Sequence, residues 1–231
     1  IARGLFAGLI GADEDEIAVL DSTGAGSNLA VELIEPRIGG NVVFDEWSYP
    51  SSIFPWMLPP RDVVERRFVK SQNGIVELES IADAIDDDTI AVSISHITQG
   101  EGFRQDLAGV SQIAHAHGAL LLVDAAQSAG AVNIDVHKQG VDFLSAGACK
   151  WLLGAAGIAF FYAARHLMDR MPPHAAGPSS VREDGFSIER DPFKPTLKPG
   201  ADRFQLGTPN LLGLAATVPG LEILTEVGID T

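Results

Sequence analysis

The chain has 231 residues, 46% of them hydrophobic and 20% charged, with 31 acidic against 16 basic side chains and a formal net charge of −15. This composition supports a folded core and excludes a disordered acidic tail. Binding to nucleic acid or to an anionic membrane surface is disfavoured, because both need clustered lysine and arginine. No apolar run approaches the ~20 residues of a membrane span. The single cysteine excludes an internal disulfide and suits a reducing, cytoplasmic setting.

Apolar segments alternate with small and polar ones along the first part of the chain, which predicts alternating helices and strands. A helix is predicted over residues 1–10 and a strand over residues 17–20. Small and polar residues, 21–27, then lead into a predicted helix over residues 28–34. Further strands are predicted over residues 41–44, 63–69 and 89–94, with a helix within residues 75–85.

The clearest unit lies in the middle of the chain. Asp106 is predicted to cap a helix with one apolar face, and Gly118 to end it. An unbroken apolar strand, residues 119–123, follows and stops at Asp124. More strands are predicted over residues 141–144 and 157–161, and a helix over residues 211–227. Unbroken apolar strands between amphipathic helices predict an α/β fold, a three-layer sandwich whose mainly parallel sheet is covered on both faces.

Two other features concern the organisation of the chain. Residues 171–204 are rich in proline and lack periodicity, which is typical of a functional or interface segment. The chain begins at Ile1 without a signal peptide and ends soon after its last predicted helix. We therefore expect a fragment of a longer protein, or its ordered part.

Candidate functional residues stand where predicted strands end, because ligands of parallel α/β sheets bind at the carboxyl ends of strands. These positions hold residues 22–26, Ser95 with His96, Asp124 with Gln127, and residues 147–150. A carboxylate, Asp124, and an amine, Lys150, are thus expected at neighbouring strand ends, with a small-residue loop nearby that feeds a helix N-terminus. Such a loop is a generic anion-binding cradle.

Each of these residues also has an ordinary structural interpretation. Asp124 could be a turn or capping residue, and Lys150 a solvated lysine. The apolar residues 151–153 instead predict a desolvated, nucleophilic amine at Lys150. Leu29 stands where a dinucleotide-binding loop needs its third glycine, which argues against a nicotinamide oxidoreductase. His115 and His117 point to different faces of one helix, so together they do not predict a metal site.

Three segments of the chain resemble the class V aminotransferase family of pyridoxal-phosphate enzymes, fold type I. They are SHITQGEGFRQDL at 95–107, GALLLVDAAQSAG at 118–130 and VDFLSAGACKWLLG at 141–154. Weaker matches are residues 22–28, Tyr49-Pro50-Ser51 with Pro55-Trp56, and RFQLGTPN at 203–210. The family includes cysteine desulfurases, selenocysteine lyases, kynureninase and isopenicillin N epimerase. The resemblance implies the large cofactor domain of a fold type I enzyme, spanning residues 1–231 and lacking the family's N-terminal arm and C-terminal small domain.

The resemblance also implies roles for five residues around the cofactor. Lys150 would form the Schiff base with pyridoxal 5'-phosphate and carry protons to and from the substrate. Asp124 would pair with the pyridine nitrogen, and Gln127 would hydrogen-bond the phenolic oxygen. Tyr49 stands where the family places a ring that stacks on the cofactor. His96 would lie beside the cofactor as a third catalytic residue.

The phosphate of the cofactor would be held by a separate set of groups. The resemblance implies main-chain donors from Thr23, Gly24 and Ala25, and a contact from Thr208 to the cofactor of the partner subunit in a homodimer. Many family members carry serine and histidine at the positions of Gly147 and Cys149, so another group such as Ser145 would have to replace them. Gln99 also departs from the family, which usually has asparagine, tyrosine or phenylalanine there.

We therefore expect a pyridoxal-phosphate enzyme of the aminotransferase class V type that acts on an amino acid. A lyase cleaving a C–S or C–Se bond, as in cysteine desulfurases, is the alternative, and so is an epimerase. A second alternative is a catalytically impaired paralogue or fragment that acts as a binding module. The substrate cannot be named from the sequence, because the absent small domain is expected to carry the arginine that binds the substrate carboxylate.

Overall fold

The computed structural model describes residues 1–182 and 195–229, so part of the predicted irregular segment, residues 183–194, lies outside the described residues. The helices are α1 (Ala2–Leu9), α2 (Thr23–Ile34), α3 (Pro50–Ile53), α4 (Leu78–Ala84), α5 (Leu107–Ala116), α6 (Arg165–Met168) and α7 (Leu211–Val227). The strands are β1 (Ile17–Leu20), β2 (Asn41–Asp45), β3 (Glu65–Val69), β4 (Thr89–Ser95), β5 (Leu120–Asp124), β6 (Phe143–Gly147) and β7 (Ala159–Ala163). Short 3-10 turns lie at Glu14–Glu16, Phe54–Trp56 and Gly200–Phe204.

The seven strands form one sheet in the order β1-β7-β6-β5-β4-β2-β3. The pairs from β6 across to β3 are parallel, whereas β7 runs antiparallel to both of its neighbours, β6 and β1. The predicted α/β fold with a mainly parallel sheet is therefore confirmed. The predicted strand over residues 157–161 corresponds to β7, but its antiparallel direction was not predicted, because an apolar run of strand length carries no information about direction.

The core lies on both faces of the central strands. β2 and β7 are buried at every position, as strands in the middle of a sheet that is covered on both faces require. Aromatic rings fill the space around β7: Phe6 of α1 stacks on Phe160 at 4.4 Å, and Phe143 stacks on Phe161 at 5.9 Å. In residues 1–182 and 195–229, no helix combines the length and the apolar character needed to cross a membrane.

The unit in the middle of the chain matches its prediction closely. The Asp106 carboxylate accepts from the amide of Gly109 at 3.1 Å and so caps α5. Gly118 follows the helix with φ +75°, the left-handed conformation that glycine adopts readily. The strand β5 then runs into Asp124, which is its last residue. The sheet edge therefore presents Asp124 where the sequence placed it.

Helix α2 begins at Thr23, five residues before the predicted helix over residues 28–34. Ser22 caps it, since the Ser22 hydroxyl accepts from the amide of Ala25 at 3.1 Å. The glycine-rich first turn packs tightly on the sheet, because a Cβ at Gly26 would lie only 2.2 Å from Ser145 Oγ. Glycine lowers helix propensity, but tertiary packing outweighs it here. The prediction missed these residues because composition alone indicated a loop.

Candidate active site

The carboxyl ends of β4, β5 and β6 meet at one edge of the sheet. Ser95 pairs with Asp124, and Asp124 pairs with Ser145 in the next strand. A small, open cavity lies above this edge. Its lining residues are Tyr49, Ser95, Ile97, Gln99, Asp124, Ala126, Gln127 and Lys150. The structure thus brings together four of the residues singled out from the sequence: Tyr49, Asp124, Gln127 and Lys150.

Asp124 is the buried charge of this cavity, with 7% of its surface exposed. One carboxylate oxygen, Oδ1, accepts from the amide of Ala126 at 2.9 Å. The other, Oδ2, accepts from the hydroxyls of Ser51 at 3.1 Å and Ser52 at 3.3 Å. Burial raises the pKa of Asp124 above its usual value, while these donors and the Lys150 ammonium oppose that rise. These donors and the Lys150 ammonium therefore offset part of the cost of burying the ionised carboxylate.

Lys150 lies in the loop that follows β6, and its Nζ stands 5.5 Å from the centroid of the Tyr49 ring. Main-chain hydrogen bonds fix this loop: the amide of Ala148 donates to Ile158 at 2.8 Å, and that of Gly154 donates to Ala148 at 2.8 Å. The prediction that Lys150 lies in desolvated, apolar surroundings is wrong. Lys150 is exposed, and its neighbours Trp151 and Leu153 are 51% and 56% exposed, because the loop turns them away from the core.

Gln127 is oriented by a residue that the sequence did not single out. The indole Nε1 of Trp151 donates to Gln127 Oε1 at 3.2 Å. Because an indole nitrogen is only a donor, this contact assigns the oxygen of the amide to Trp151. The amide nitrogen of Gln127 is then the atom able to donate to an acceptor in the cavity.

The start of α2 lies beside this edge of the sheet. A Cβ at Gly24 would lie 3.8 Å from Ser51 Cβ, and a Cβ at Gly147 would lie 3.1 Å from Thr23 Oγ1. The first-turn amides of Thr23 and Gly24 have no preceding helical carbonyl to bind, and they carry the positive end of the helix dipole. The amide of Ala25, by contrast, already donates to the Ser22 hydroxyl.

Two predicted site residues are engaged away from the cavity. The Ser145 side chain is buried and donates to the main-chain oxygen of Thr23 at 3.1 Å, so it ties α2 to β6. His96 follows β4 and is fully buried, and its ring nitrogen Nε2 accepts from Arg104 Nε at 3.4 Å. Burial, with a further contribution from Arg104, lowers the pKa of His96 to about 4. Ser95 rather than His96 lines the cavity, as alternation along a strand requires.

Thr208 lies outside the Lys150 cavity. It is exposed and lines a larger hollow together with Ala25 and Gly157. Two residues further on, Asn210 caps α7 by accepting from the amide of Gly213 at 2.9 Å. The structure therefore separates Thr208 from Lys150 of the same chain.

The chain is similar in sequence to one family of known proteins over its whole length. The family model for aminotransferase class-V matches residues 1–231. The uncharacterized aminotransferase YcbU of Bacillus subtilis (strain 168) is 33% identical over 229 residues, which cover 99% of this chain and 59% of that protein. A probable cysteine desulfurase of Methanothermobacter thermautotrophicus is 33% identical over 232 residues, which cover 99% of this chain and 56% of that protein.

The fold is also similar to that of a solved structure. The apo structure of cysteine desulfurase from Thermococcus onnurineus NA1 has a TM-score of 0.86 and 25% identity, covering 99% of this chain and 56% of that chain. The chain thus spans little more than half the length of the relatives that it matches.

Proposed function

The chain belongs to the aminotransferase class-V family, and we propose that it is the large, pyridoxal-phosphate-binding domain of an enzyme that acts on an amino acid. One observation carries the proposal: the buried Asp124 carboxylate and the Lys150 amine line one cavity at the ends of adjacent parallel strands. The Tyr49 ring lies beside the same amine. Residues 1–231 form this domain in the proposal, and the remaining parts of the active site come from a longer chain.

The residues present fit pyridoxal phosphate. Its aldehyde needs an amine, its pyridine nitrogen an anion, its phenolic oxygen a donor and its phosphate several donors. Lys150, Asp124 and the Gln127 amide nitrogen supply the first three from the walls of one cavity. The phosphate matches the first turn of α2, where Thr23 Oγ1 lies 3.1 Å from the place that a Cβ at Gly147 would take.

The cofactor, when bound, supplies a ring that accepts electrons from the α-carbon of an amino acid. In this proposal the Lys150 amine would hold the cofactor at its aldehyde carbon and would move a proton at the α-carbon of the substrate. Asp124 would hold a proton on the pyridine nitrogen and Gln127 would donate to the phenolic oxygen, while the Tyr49 ring, which lies beside the Lys150 amine, would pack on the cofactor. His96 and Ser145 are left out, because the first is bonded to Arg104 and the second to Thr23.

The phosphate site of the proposal extends to a second subunit. Thr23 and Gly24 donate through their main chain, and Ala25 can join them once Ser22 releases its amide. Thr208 is proposed to reach the phosphate of the partner in a homodimer, which agrees with its position outside the Lys150 cavity.

The single cysteine, Cys149, is free and exposed, which supports a reducing, cytoplasmic location.

The proposal is tested by reconstituting the full-length protein with pyridoxal phosphate and recording its visible absorbance. Wild type should show the band of a lysine-bound cofactor, and Lys150→Ala should lose it because no other amine lines the cavity among the described residues. Lys138→Ala is the matched control, since Lys138 is exposed and paired with Asp135. A wild-type protein that stays colourless after reconstitution would contradict the proposal.

A cysteine desulfurase-like lyase is the second candidate, and the relatives named as desulfurases favour it. The two reactions are separated by measuring sulfide release from cysteine beside amino-group transfer to a 2-oxo acid, both on the full-length enzyme. Cys149 is not the sulfur acceptor in this alternative, because it adjoins Lys150 in the loop after β6. A protein that binds the cofactor without either activity, and without epimerisation, would be the catalytically impaired binding module.

A further inference from the structure

The short helix α3 follows the turn after β2, and it carries two hydroxyls to the buried carboxylate of the site. Ser51 and Ser52 both donate to Oδ2 of Asp124, at 3.1 and 3.3 Å, and the amide of Ala126 donates to Oδ1 at 2.9 Å. An ionised carboxylate offers about four acceptor positions. Three are thus filled by this chain, and one is left for a single further N–H donor.

We propose that Ser51 and Ser52 are positioning residues that keep Asp124 ionised and correctly aimed, so that it binds the protonated pyridine nitrogen. The inference rests on the proposed function and extends it to residues that do not themselves touch the cofactor. A neutral Asp124 would present an O–H donor and would no longer favour a proton on the ring nitrogen. The two hydroxyls therefore determine whether the ring accepts electrons.

The physical need for such donors follows from the burial of Asp124. Moving a carboxylate out of water strongly favours its neutral form unless hydrogen bonds compensate. Hydroxyl donors to a charged oxygen are short-range and strong, and a serine hydroxyl can rotate to serve an acceptor without introducing a second charge. The Lys150 ammonium also favours the ionised form, but the charge on that nitrogen would depend on pH once Lys150 is bonded to the cofactor. The serines supply a contribution that persists in the loaded enzyme.

A second buried carboxylate fixes the turn that leads into α3 and its two serines. Asp45, at the end of β2, accepts from the amide of Trp47 and from the hydroxyl of Ser48, both at 2.8 Å. The amide of Tyr49 donates to Ser95 Oγ at 3.3 Å, which attaches the turn to β4. Tyr49 directly precedes α3, so the same hydrogen bonds fix the position of its backbone and of the helix that carries the two serines.

The Ser93 hydroxyl of β4 anchors α3, since it donates to the main-chain oxygen of Ser52 at 3.4 Å. The amide of Ser52 donates to the oxygen of Tyr49 at 2.8 Å, which closes the first turn of α3. Ser52 is buried, whereas Ser51 is partly exposed beside the start of α2. The two hydroxyls thus reach Asp124 from a short helix that is hydrogen-bonded to β4, which is what a positioning role requires.

The test uses the full-length enzyme reconstituted with pyridoxal phosphate. Ser51→Ala, Ser52→Ala and the double variant are compared with wild type, and Ser80→Ala on α4 is the control. The double variant should bind the cofactor ~10-fold or more weakly, because two hydrogen bonds to a charged group are lost. The pH at which the visible band changes should move upward, since a ring without its positive charge lets the nitrogen bonded to Lys150 keep its proton to higher pH.

Rescue distinguishes positioning from a purely structural role. Ser51→Thr keeps the hydroxyl and should restore the wild-type pH midpoint, and its position at the partly exposed residue leaves room for the methyl group. If the double variant fails to fold, Ser51→Ala alone is read in the same two measurements. A wild-type affinity and pH midpoint in the alanine variants would overturn the inference. Failure of the proposed function is separate, because then wild type itself would show no band.

Discussion

At the residue scale, the Trp151 indole controls which end of the Gln127 amide faces the cavity. Trp151→Phe keeps an aromatic ring but removes the N–H donor, so the amide loses the bond at 3.2 Å that fixes its oxygen. We expect the visible band of the reconstituted enzyme to shift and cofactor binding to weaken ~2- to 10-fold, because a neutral hydrogen bond contributes about 0.5–1.5 kcal/mol. Absorbance titration measures both quantities.

Trp47→Phe is the matched control for that substitution. Trp47 is also partly exposed, and its indole donates to Ser71 Oγ at 3.0 Å, outside the lining of the cavity. It should leave the band and the affinity unchanged. Equal spectra for the two phenylalanine variants would show that Trp151 does not orient Gln127.

His96 provides a second prediction at this scale, concerning stability and pH. Its pKa in the folded protein is about 4, below the usual value of 6.5. Between those pH values the unfolded chain binds a proton that the folded chain does not, so stability falls as the pH is lowered. Relative to neutral pH, the loss attributable to His96 at pH 5 should be about 2 kcal/mol, at 1.36 kcal/mol per pKa unit.

Urea unfolding at the two pH values measures this loss. His96→Gln should flatten the dependence by about 2 kcal/mol, because an amide cannot titrate. Ser80→Ala on α4, which removes no titratable group, should keep the wild-type dependence. The same pH dependence in wild type and His96→Gln would refute the assignment of the proton to His96.

At the element scale, the close packing of α2 on β6 sets where the helix N-terminus lies. Gly26→Ala places a Cβ 2.2 Å from Ser145 Oγ, and something must move. The free energy of unfolding should fall by about 1–3 kcal/mol, as in other overpacked sites, despite the better helix propensity of alanine. Cofactor binding should weaken as well, because the first turn of α2 is displaced from the strand end.

Gly8→Ala on α1 separates packing from propensity. No atom lies within 4 Å of a Cβ there, so alanine should stabilise the protein by up to about 1 kcal/mol or leave it unchanged. Chemical denaturation of both variants gives the comparison. A Gly26→Ala protein as stable as Gly8→Ala would mean that α2 can move away from β6 without cost.

The elements also show which parts of the fold are predictable from sequence. The ends of β4 and β5 follow from apolar runs that stop at polar residues, so Asp124 and the neighbouring edge residues could be placed correctly. The start of α2 could not, because small residues read locally as a loop, and only packing against β6 makes them helical. The contacts of Ser51 and Ser52 with Asp124 join residues that are distant in sequence. They depend on the path of the turn before α3, and no local sequence pattern specifies that path.

At the scale of the whole molecule, a net charge of −15 coexists with apolar residues that are left exposed near Thr208. Leu206, Leu211 and Leu212 are 51%, 63% and 86% exposed, and they flank the segment that carries Thr208. Neighbouring exposed apolar side chains are typical of a surface that another protein covers. This surface supports the proposed homodimer, in which Thr208 serves the cofactor of the other subunit.

Subunit complementation tests that arrangement in the full-length protein. Lys150→Ala removes the Schiff base, and Thr208→Asp places a negative charge against the phosphate, so each variant alone should show little of the cofactor band. When both are co-expressed, a mixed dimer with shared sites holds one site with both defects and one with none. Random pairing then restores the band at about one site in four, since half of the dimers are mixed. Thr208→Ser, which keeps the hydroxyl, should retain the wild-type band. If Thr208 served its own subunit, no intact site could form, and the mixture would show only the mean of its two parents.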